Sequence, residues 1–399
     1  MKKILFLTNL IPYPLDNGGK IKSYNTVKAL SQNYSIDMIC FCNEEYEKKH
    51  IKNISEIVDE IEVIPKTVIR SASLKVFLYD YIKSLFSLKP YNIYKFFDKR
   101  FKKALIKKLK ENEYEFIYVD HLPMMVYQKK IKDQKVILDQ HNVESLIFKR
   151  MIMNSENLVK KILGYFEYIK LKEFERSSLL KSNHVICLSE DDRKELLKLG
   201  LSKNKISVLP IHLTVYKNYE YKKVTNDVFN ILFLGSMSWY PNQQGIKWFM
   251  EQVWPNISKD RFKIYIVGSN PPDIIKKYHD NRNVFVTGYV ENVDEYISKC
   301  NISIVPLFVG SGQRVKIIES FAKKIPVIST SIGAEGIKHT SGKDLIIAND
   351  QTEFVNSLLY YSENLNELKV ISDNAFNNFG TNYSAEKLPQ KLELIIKYL

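Results

Sequence analysis

Short β-branched and aromatic runs alternate along this chain with stretches of helical polar–apolar periodicity, and the whole series starts over part-way through. The first set of runs is Ile4–Thr8, Ser35–Phe41, Glu60–Ile64, Phe116–Val119, Lys135–Asp139 and His184–Leu188. The second set is Asn230–Leu234, Lys263–Val267, Val284–Thr287, Ile302–Pro306, Pro326–Ser329 and Asp344–Ile347. Periodic segments such as Tyr24–Gln32, Gln243–Val253 and Val315–Lys323 lie between them. Strands that alternate with helices form parallel sheets covered on both faces. The polar stretch 216–227 (YKNYEYKKVTND) reads as a linker where the series restarts. The pattern therefore predicts an α/β protein of two doubly wound domains, 1–215 and 228–382. Ligands of such sheets bind at the carboxyl ends of the strands, so the expected site is the cleft between the two domains.

Composition narrows the compartment and the partners. The 399 residues carry 59 Lys+Arg against 45 Asp+Glu, a net charge of +14. At 45% hydrophobic residues the chain can fill its interiors, and wholesale disorder is excluded. A basic balance points to nucleic acid, an anionic membrane or a phosphorylated small molecule. No run approaches the roughly 18 unbroken apolar residues of a membrane span. Met1–Leu15 opens like a signal peptide, but Thr8 and Asn9 interrupt it and Asp16-Asn17-Gly18-Gly19 follows, which fits a buried first strand and a glycine turn. The cysteines, Cys40, Cys42, Cys187 and Cys300, read as buried reduced thiols and imply a reducing cytoplasm.

Four strand ends carry chemistry. Asp16-Asn17-Gly18-Gly19-Lys20 follows the first strand, where adjacent glycines and a helix N-terminus suit an anion; read alone, it is equally a plain turn. Gly235-Ser236 closes the first strand of the second half, and packing of Trp239 is the bland alternative there. Gly310-Ser311-Gly312-Gln313-Arg314-Val315-Lys316 opens a helix with two cations in or near its first turn. The helix dipole disfavours cations at that end unless an anion joins them, and a diphosphate is such an anion. Glu319, three residues after Lys316, can accept hydrogen bonds from sugar hydroxyls; a solvated Lys–Glu pair is the competing reading. The fourth is Asp139-Gln140-His141-Asn142-Val143-Glu144, five polar groups that are costly at a strand end unless they line a site. His141 can orient hydroxyls there, and His121 in YVDHLP is a further histidine with a structural alternative.

The stretches FLGSMSWYPNQQGIKWF (233–249), VFVTGYVENVDEY (284–296) and VPLFVGSGQRVKIIESFAKKIPVISTSIGAEGI (305–337) resemble the group-4 retaining glycosyltransferases of GT-B fold. In the first half DNGGKIKS (16–23), DQHNVE (139–144) and CLSEDDRKEL (187–196) extend the resemblance over nearly the whole chain. It implies two Rossmann-like domains facing a central cleft, with the C-terminal helix 383–399 crossing back to the first. It also implies a donor site in the second domain: Arg314 and Lys316 on the diphosphate, Glu319 on the ribose, and Gly235, Ser236, Ser311, Gly312 and Gln313 around them. Gly18 and Gly19 would face the phosphates or the sugar, with His141 beside the donor sugar. Asp16, His121, Asn142 and Glu144 are the acceptor-side candidates. Ser311 stands where the commoner form of the family has a glutamate. Trp239 and Tyr240 stand where many members carry Arg and Lys. A subgroup with the pattern G-x-G-x-R-x-K-I-x-E shares both changes.

The expected activity is metal-independent transfer of a sugar from a nucleotide-diphosphate sugar, a co-substrate and not a cofactor, in bacterial surface polysaccharide, LPS or capsule assembly. Preplaced cations and amides would stabilise the leaving diphosphate. The rivals are a GT-B-fold nucleotide-sugar epimerase or hydrolase, and a non-catalytic membrane- or nucleic-acid-binding adaptor. No nucleic-acid signature stands out. Residues 66–110 hold thirteen cations against Asp80 and Asp98, which is +11 of the +14, interleaved with aromatics such as Phe86, Tyr91 and Phe101. That mixture suits anionic lipid. The expectation is a lipid-linked glycan acceptor met at the inner face of the plasma membrane by a cytoplasmic, peripheral enzyme.

Overall fold

The computed structural model describes residues 1–42, 49–66, 84, 89–153, 158–215, 228–310 and 312–399. The linker expected at 216–227, the residue Ser311 and most of the stretch 67–88 lie outside the described residues. The chain divides into two compact units, Met1–His212 with Ala385–Leu399, and Leu213–Ser384.

In the first unit the strands are β1 (Lys2–Thr8), β2 (Tyr34–Cys42), β3 (Glu60–Pro65), β4 (Ile117–Asp120), β5 (Val136–Gln140), β6 (His184–Cys187) and β7 (Ile206–Val208). They form one parallel sheet in the order β3-β2-β1-β4-β5-β6-β7. Alternate residues of each strand feed two cores. Leu5, Leu7, Ile39 and Phe41 face one, and Ile4, Phe6, Met38 and Tyr118 face the other. Burial on both faces is why these runs read as continuously apolar. Helix α1 (Gly18–Leu30) follows β1, capped by the Asn17 side chain, which accepts from the Lys20 N–H at 3.0 Å. Helix α2 (Lys99–Glu111) buries Phe101, Ala104 and Leu105, and helices α3 (Glu144–Met153) and α4 (Leu158–Lys181) follow β5. The four cysteines of the chain are buried and none is in a disulfide.

The second unit has β8 (Phe229–Leu234), β9 (Phe262–Val267), β10 (Val284–Gly288), β11 (Ile302–Val305), β12 (Val327–Ser329) and β13 (Ile346–Ile347) in the order β10-β9-β8-β11-β12-β13. Helix α5 (Tyr240–Trp248) follows β8, and α6 (Val315–Ala322) follows β11. The last helix, α7 (Leu388–Ile396), belongs to the first unit. Its Leu388, Leu392 and Ile395 join the core that holds Val27 and Leu30 of α1.

Both sheets reverse their winding beside their first strand, between β1 and β4 and between β8 and β11. At such a switch point the two neighbouring loops leave in opposite directions and open a crevice at the strand ends.

Among the described residues of 66–110, several cations are engaged inside the unit. Lys108 is buried between Asp37 and Glu60, Lys66 donates to the Phe97 carbonyl at 2.8 Å, and Lys89 to that of Val126 at 3.4 Å. The charge this segment offers to solvent is therefore smaller than its formal value, with Lys99, Lys103, Lys107 and Lys110 on the exposed face of α2. No helix among the described residues is long and apolar enough to cross a membrane.

Candidate active site

In the first unit the ends of β1, β4 and β5 bring together Thr8, Asp120, His121 and His141 at the switch point. Asp120 is fully buried and serves as the hub. Its Oδ2 accepts from Thr8 Oγ1 and from Ser23 Oγ, both at 2.7 Å. Its Oδ1 lies 2.8 Å from His141 Nε2, and its Oδ2 lies 3.1 Å from His121 Nδ1. Burial opposes its charge, but the two histidines hold its carboxyl well below the usual carboxylate range. The imidazoles lie with centroids 3.6 Å apart.

The two histidines respond differently. For His121, burial works against the charged form, yet Asp120 outweighs it and raises the pKa. Burial, and then the neighbouring His121, push His141 down to about 4. At neutral pH His141 is thus a neutral imidazole whose Nε2–H donates to an acceptor-only carboxylate, which leaves Nδ1 as an acceptor. Its free nitrogen and that of His121 face the first helical turn after β1. A Cβ built on Gly19 would lie 3.6 Å from His121 Nε2 and 3.8 Å from His141 Nδ1. His121 also has φ +75°, a left-handed conformation uncommon for a residue with a side chain and concentrated at functional sites.

Asp120, His121 and His141 are also residue types that could hold a metal ion, with their ligand atoms within 4.8 Å of one another. The donor set argues for hydrogen bonds instead. His141 Nε2 is spaced as a proton donor to Asp120, and a cation would have to displace that proton close to buried Lys22, which already disfavours positive charge on both rings.

The neighbouring predicted residues have supporting roles. Asp139 is buried against Lys22 and accepts from Tyr118 Oη at 2.5 Å, so its charge is balanced within the unit. Buried Glu175 accepts from the backbone N–H of Glu144 at 2.9 Å and of Ser145 at 3.2 Å, and also from Gln140 and the Ser145 hydroxyl. It satisfies the first amides of α3, and burial raises its pKa to about 7. Asn142 is partly buried in the turn between β5 and α3. Asp16 is exposed, with Lys20 Nζ at 3.3 Å, and Gly18 begins α1.

The second cluster lies in the second unit, at the ends of β8 and β11. Gly310 and Gly312 take φ values of +124° and +82°, which let the chain turn back before α6. Arg314 caps that helix and Lys316 lies in its first turn, as the glycine motif implied. Arg314 is buried, with its guanidinium 5.3 Å from the Trp239 ring centroid. Lys316 Nζ donates to Asn242 Oδ1 at 2.8 Å and lies 4.9 Å from the Phe233 ring centroid. Burial, reinforced by Arg314 and opposed by Glu319, lowers the Lys316 pKa to about 7. Burial raises that of Glu319, against the pull of Lys323 and Lys316.

Gly235 is the floor of this cluster: a Cβ there would come within 2.6 Å of Asn242 Nδ2 and 2.7 Å of Lys316 Nζ. The Ser236 carbonyl accepts from Asn242 Nδ2 at 2.8 Å, its hydroxyl from that of Ser269 at 3.2 Å, and Gln313 Nε2 donates to the Gly336 carbonyl at 3.0 Å. Lys316 on a neutral amide and Arg314 against an aromatic face, beside glycines that leave backbone accessible, are the residue types that suit a multivalent anion.

Residues 228–364 match the family model of the Glycosyl transferases group 1. The chain carries a group 1 glycosyl transferase domain. That domain holds the whole second cluster, from Gly235 to Glu319. A Klebsiella pneumoniae relative, an uncharacterized 44.6 kDa protein in the cps region, is 26% identical over 97% of this chain and 98% of its own length. Among solved structures, Anabaena HepE in complex with UDP matches with a TM-score of 0.68 at 13% identity, covering 100% of both chains. Sucrose-phosphate synthase from Thermosynechococcus elongatus matches with a TM-score of 0.71 at 14% identity, covering 99% of this chain and 98% of its own. The two parallel sheets of this chain are those of the GT-B fold.

Three members of these clusters escape the motif reading. Asp120 and Glu175 belong to none of the glycine turns, and Asn242 lies at the end of the Gly235 stretch without being singled out; each is recognised by what it holds.

Proposed function

We propose that this glycosyltransferase moves a sugar, with retention and without a metal, from a nucleotide-diphosphate sugar to a lipid-linked glycan in bacterial surface polysaccharide assembly. One observation carries the donor assignment: Lys316, its charge disfavoured by burial and by Arg314, stands with that arginine at the start of a helix behind a glycine turn. A diphosphate relieves that repulsion when it binds. It gains charge again as the anomeric bond breaks, so the same two cations stabilise the leaving group more than the substrate. Glu319, one turn along α6, accepts from a ribose hydroxyl. His141, neutral and with an open acceptor nitrogen, orients a sugar hydroxyl in the first unit.

The UDP in the Anabaena structure supports a nucleotide donor, and the cps-region relative supports a capsule-type product. The cations of α2 support an anionic membrane at the cytoplasmic face as the place where the acceptor is met. Thermal-shift screening of UDP-, GDP- and ADP-sugars identifies the donor, since ligand binding raises the melting temperature by mass action. The selected donor must then yield a glycan product only when acceptor is present. Donor consumption without acceptor would make the chain a hydrolase or epimerase instead.

A further inference from the structure

Helix α4 has apolar side chains on opposite faces. One face is packed inward: Leu171 and Phe174 enter the first core. Glu167 is buried there too, accepting from the Tyr91 N–H at 2.8 Å and from Lys170 at 3.3 Å. The other face carries Ile162, Tyr165, Phe166 and Ile169, spaced i, i+3, i+4 and i+7, so they form one stripe. All four are exposed, Tyr165 at 57% and Phe166 at 59%. Helix α3 adds exposed Met151 and Met153. The two helices are packed tightly, since a Cβ on Gly164 would lie 2.8 Å from the Ile152 side chain. A soluble helix keeps its outer face polar, and a contiguous apolar outer face marks a surface that something covers.

The charges around the stripe select what covers it. Exposed Lys149 and Lys172 and partly buried Lys161 border it. Among the described residues from Lys149 to Arg176 the acids beside Glu175, which is buried, are Glu167, buried and engaged on the inner face, and Glu173, exposed one turn beyond Ile169 and 3.5 Å from Arg176. Aromatic and aliphatic side chains bordered by Lys149, Lys161, Lys172 and Arg176, with the exposed Glu173 paired to Arg176, keep a positive balance that fits an anionic bilayer, where the rings enter the headgroup boundary and the ammonium groups meet phosphate.

We infer that the α3–α4 hairpin is a membrane-insertion surface for anionic lipid, with Tyr165, Phe166 and Ile169 as its anchors. This rests on the membrane part of the function proposed above, and it assigns the apolar contact to a segment distinct from the basic stretch 66–110. The cations of α2 supply long-range attraction that salt screens; the stripe supplies burial that salt leaves intact.

The test is flotation of the full-length protein with phosphatidylglycerol-containing vesicles, beside phosphatidylcholine vesicles, for the wild type and for Tyr165→Ser/Phe166→Ser/Ile169→Ser. The substituted side chains are exposed, so the melting temperature is expected to stay within a few degrees. Partitioning of the triple variant onto anionic vesicles is expected to fall by at least about tenfold, since each lost anchor removes a large share of a buried side chain. The chain's tryptophans are Trp239, Trp248 and Trp254, all in the second unit, so Phe166→Trp adds the first reporter to the hairpin. Its emission is expected to shift to the blue on vesicles and to be quenched by brominated lipid. Vesicle binding by the triple variant equal to that of wild type, or no quenching in Phe166→Trp, overturns the inference while leaving the membrane reading intact. A dimer in solution that the triple variant dissociates overturns it too, because a second copy then covers the stripe. Failure of the wild-type protein to bind any vesicle removes the membrane reading and the stripe together.

Discussion

The two switch points of this molecule have the same topology and opposite electrostatics. At the β1/β4 crevice, charge is matched within the unit: Asp120 is shared by two histidines and two hydroxyls, and Asp139 is held by Lys22 and Tyr118. At the β8/β11 crevice, two cations rest on Asn242 and aromatic rings, and the nearby carboxylate, Glu319, is itself driven toward neutrality by burial. A matched network can present neutral hydrogen-bonding groups of fixed direction, and so suits hydroxyls. Lys316, whose charge burial and Arg314 disfavour, would be favoured by an anion beside it, and a diphosphate is such an anion. The same sheet end is turned to two different tasks by which residue types close it.

The sharpest way to break this contrast is to remove charge from the second site. Lys316→Ala is expected to lower kcat/KM by about two to three orders of magnitude, the usual loss when one preorganised donor to a developing charge is deleted. Stability is expected to move the other way. The folded state lowers the lysine pKa from 10.5 to about 7, so it penalises the charged form. That penalty is complete below about pH 7 and fades as pH rises toward the unfolded value. Lys316→Met, which keeps most of the volume, should therefore raise the melting temperature more at pH 6 than at pH 9. A variant that melts lower at pH 6 and still transfers sugar at near wild-type rate makes Lys316 an ordinary structural residue.

Removing the hub of the first site sharpens the other half. Asp120→Asn is expected to cost about one to two orders of magnitude in turnover, a typical contribution of a positioned acid–base group. Nucleotide binding should stay unchanged. The pH profile identifies the cause: without the carboxylate, burial pulls the His121 pKa down, so any limb of the rate profile that His121 controls should move to lower pH. A wild-type enzyme silenced by chelator and restored by a divalent ion, with Asp120→Asn unable to bind that ion, would replace the hydrogen-bonded hub with a metal centre.

These two sites were unequally legible in the sequence. Gly310, Gly312, Arg314 and Lys316 lie within a few positions of one another, and a helix start that carries cations is a local contradiction visible without a structure. The strand series was legible for the same reason, because both faces of each sheet are buried. The exception is β7, only three residues long at a sheet edge, too short for any periodicity to register. What stayed hidden are partners fixed by tertiary contact. Lys316 and Asn242 are 74 residues apart, and Lys22 and Asp139 are 117 apart. His121 invites a structural reading until Asp120 is seen to tie it to His141. Asn142 and Glu144 were singled out for their side chains, but what the structure shows of Glu144 is its backbone amide, held by Glu175.

A smaller effect separates the two sites by pH alone. Above about pH 7 the free enzyme has lost the proton on Lys316, and a binding diphosphate has to restore it. Affinity for UDP or the matching nucleotide should then fall by up to about tenfold per pH unit until the pKa of the complex is reached. Nucleotide phosphates are fully ionised in this window, so their own titration does not mask the trend. Lys316→Arg, which keeps its charge, should flatten the dependence. A flat wild-type profile between pH 7 and 9 would mean that the lysine is not the cation on the phosphates.

The mildest test leaves every charge in place and adds one methyl group. Gly235→Ala puts a methyl group where Asn242 Nδ2 and Lys316 Nζ stand, at 2.6 and 2.7 Å from the ideal Cβ position. Lysine can retreat at its flexible end, but Asn242 is short and Gly235 has φ +158°, so a modest loss of stability is expected, and binding is compared well below the melting temperature. The ammonium group, however, gives up its hydrogen bond to Asn242 and its alignment with Arg314. The expected result is about three- to fivefold weaker nucleotide binding, roughly 1 kcal/mol, with turnover falling in step. Because Gly235 carries no charge or hydrogen-bonding side chain, such a loss is expected to come through the placement of Lys316 and Asn242. Asn242→Ala should reproduce it, and the double variant should add little, as expected when two changes act through one shared contact. Full additivity would show that Gly235 meets the ligand directly, and that the glycine is there for the backbone's approach to phosphate instead of for the lysine.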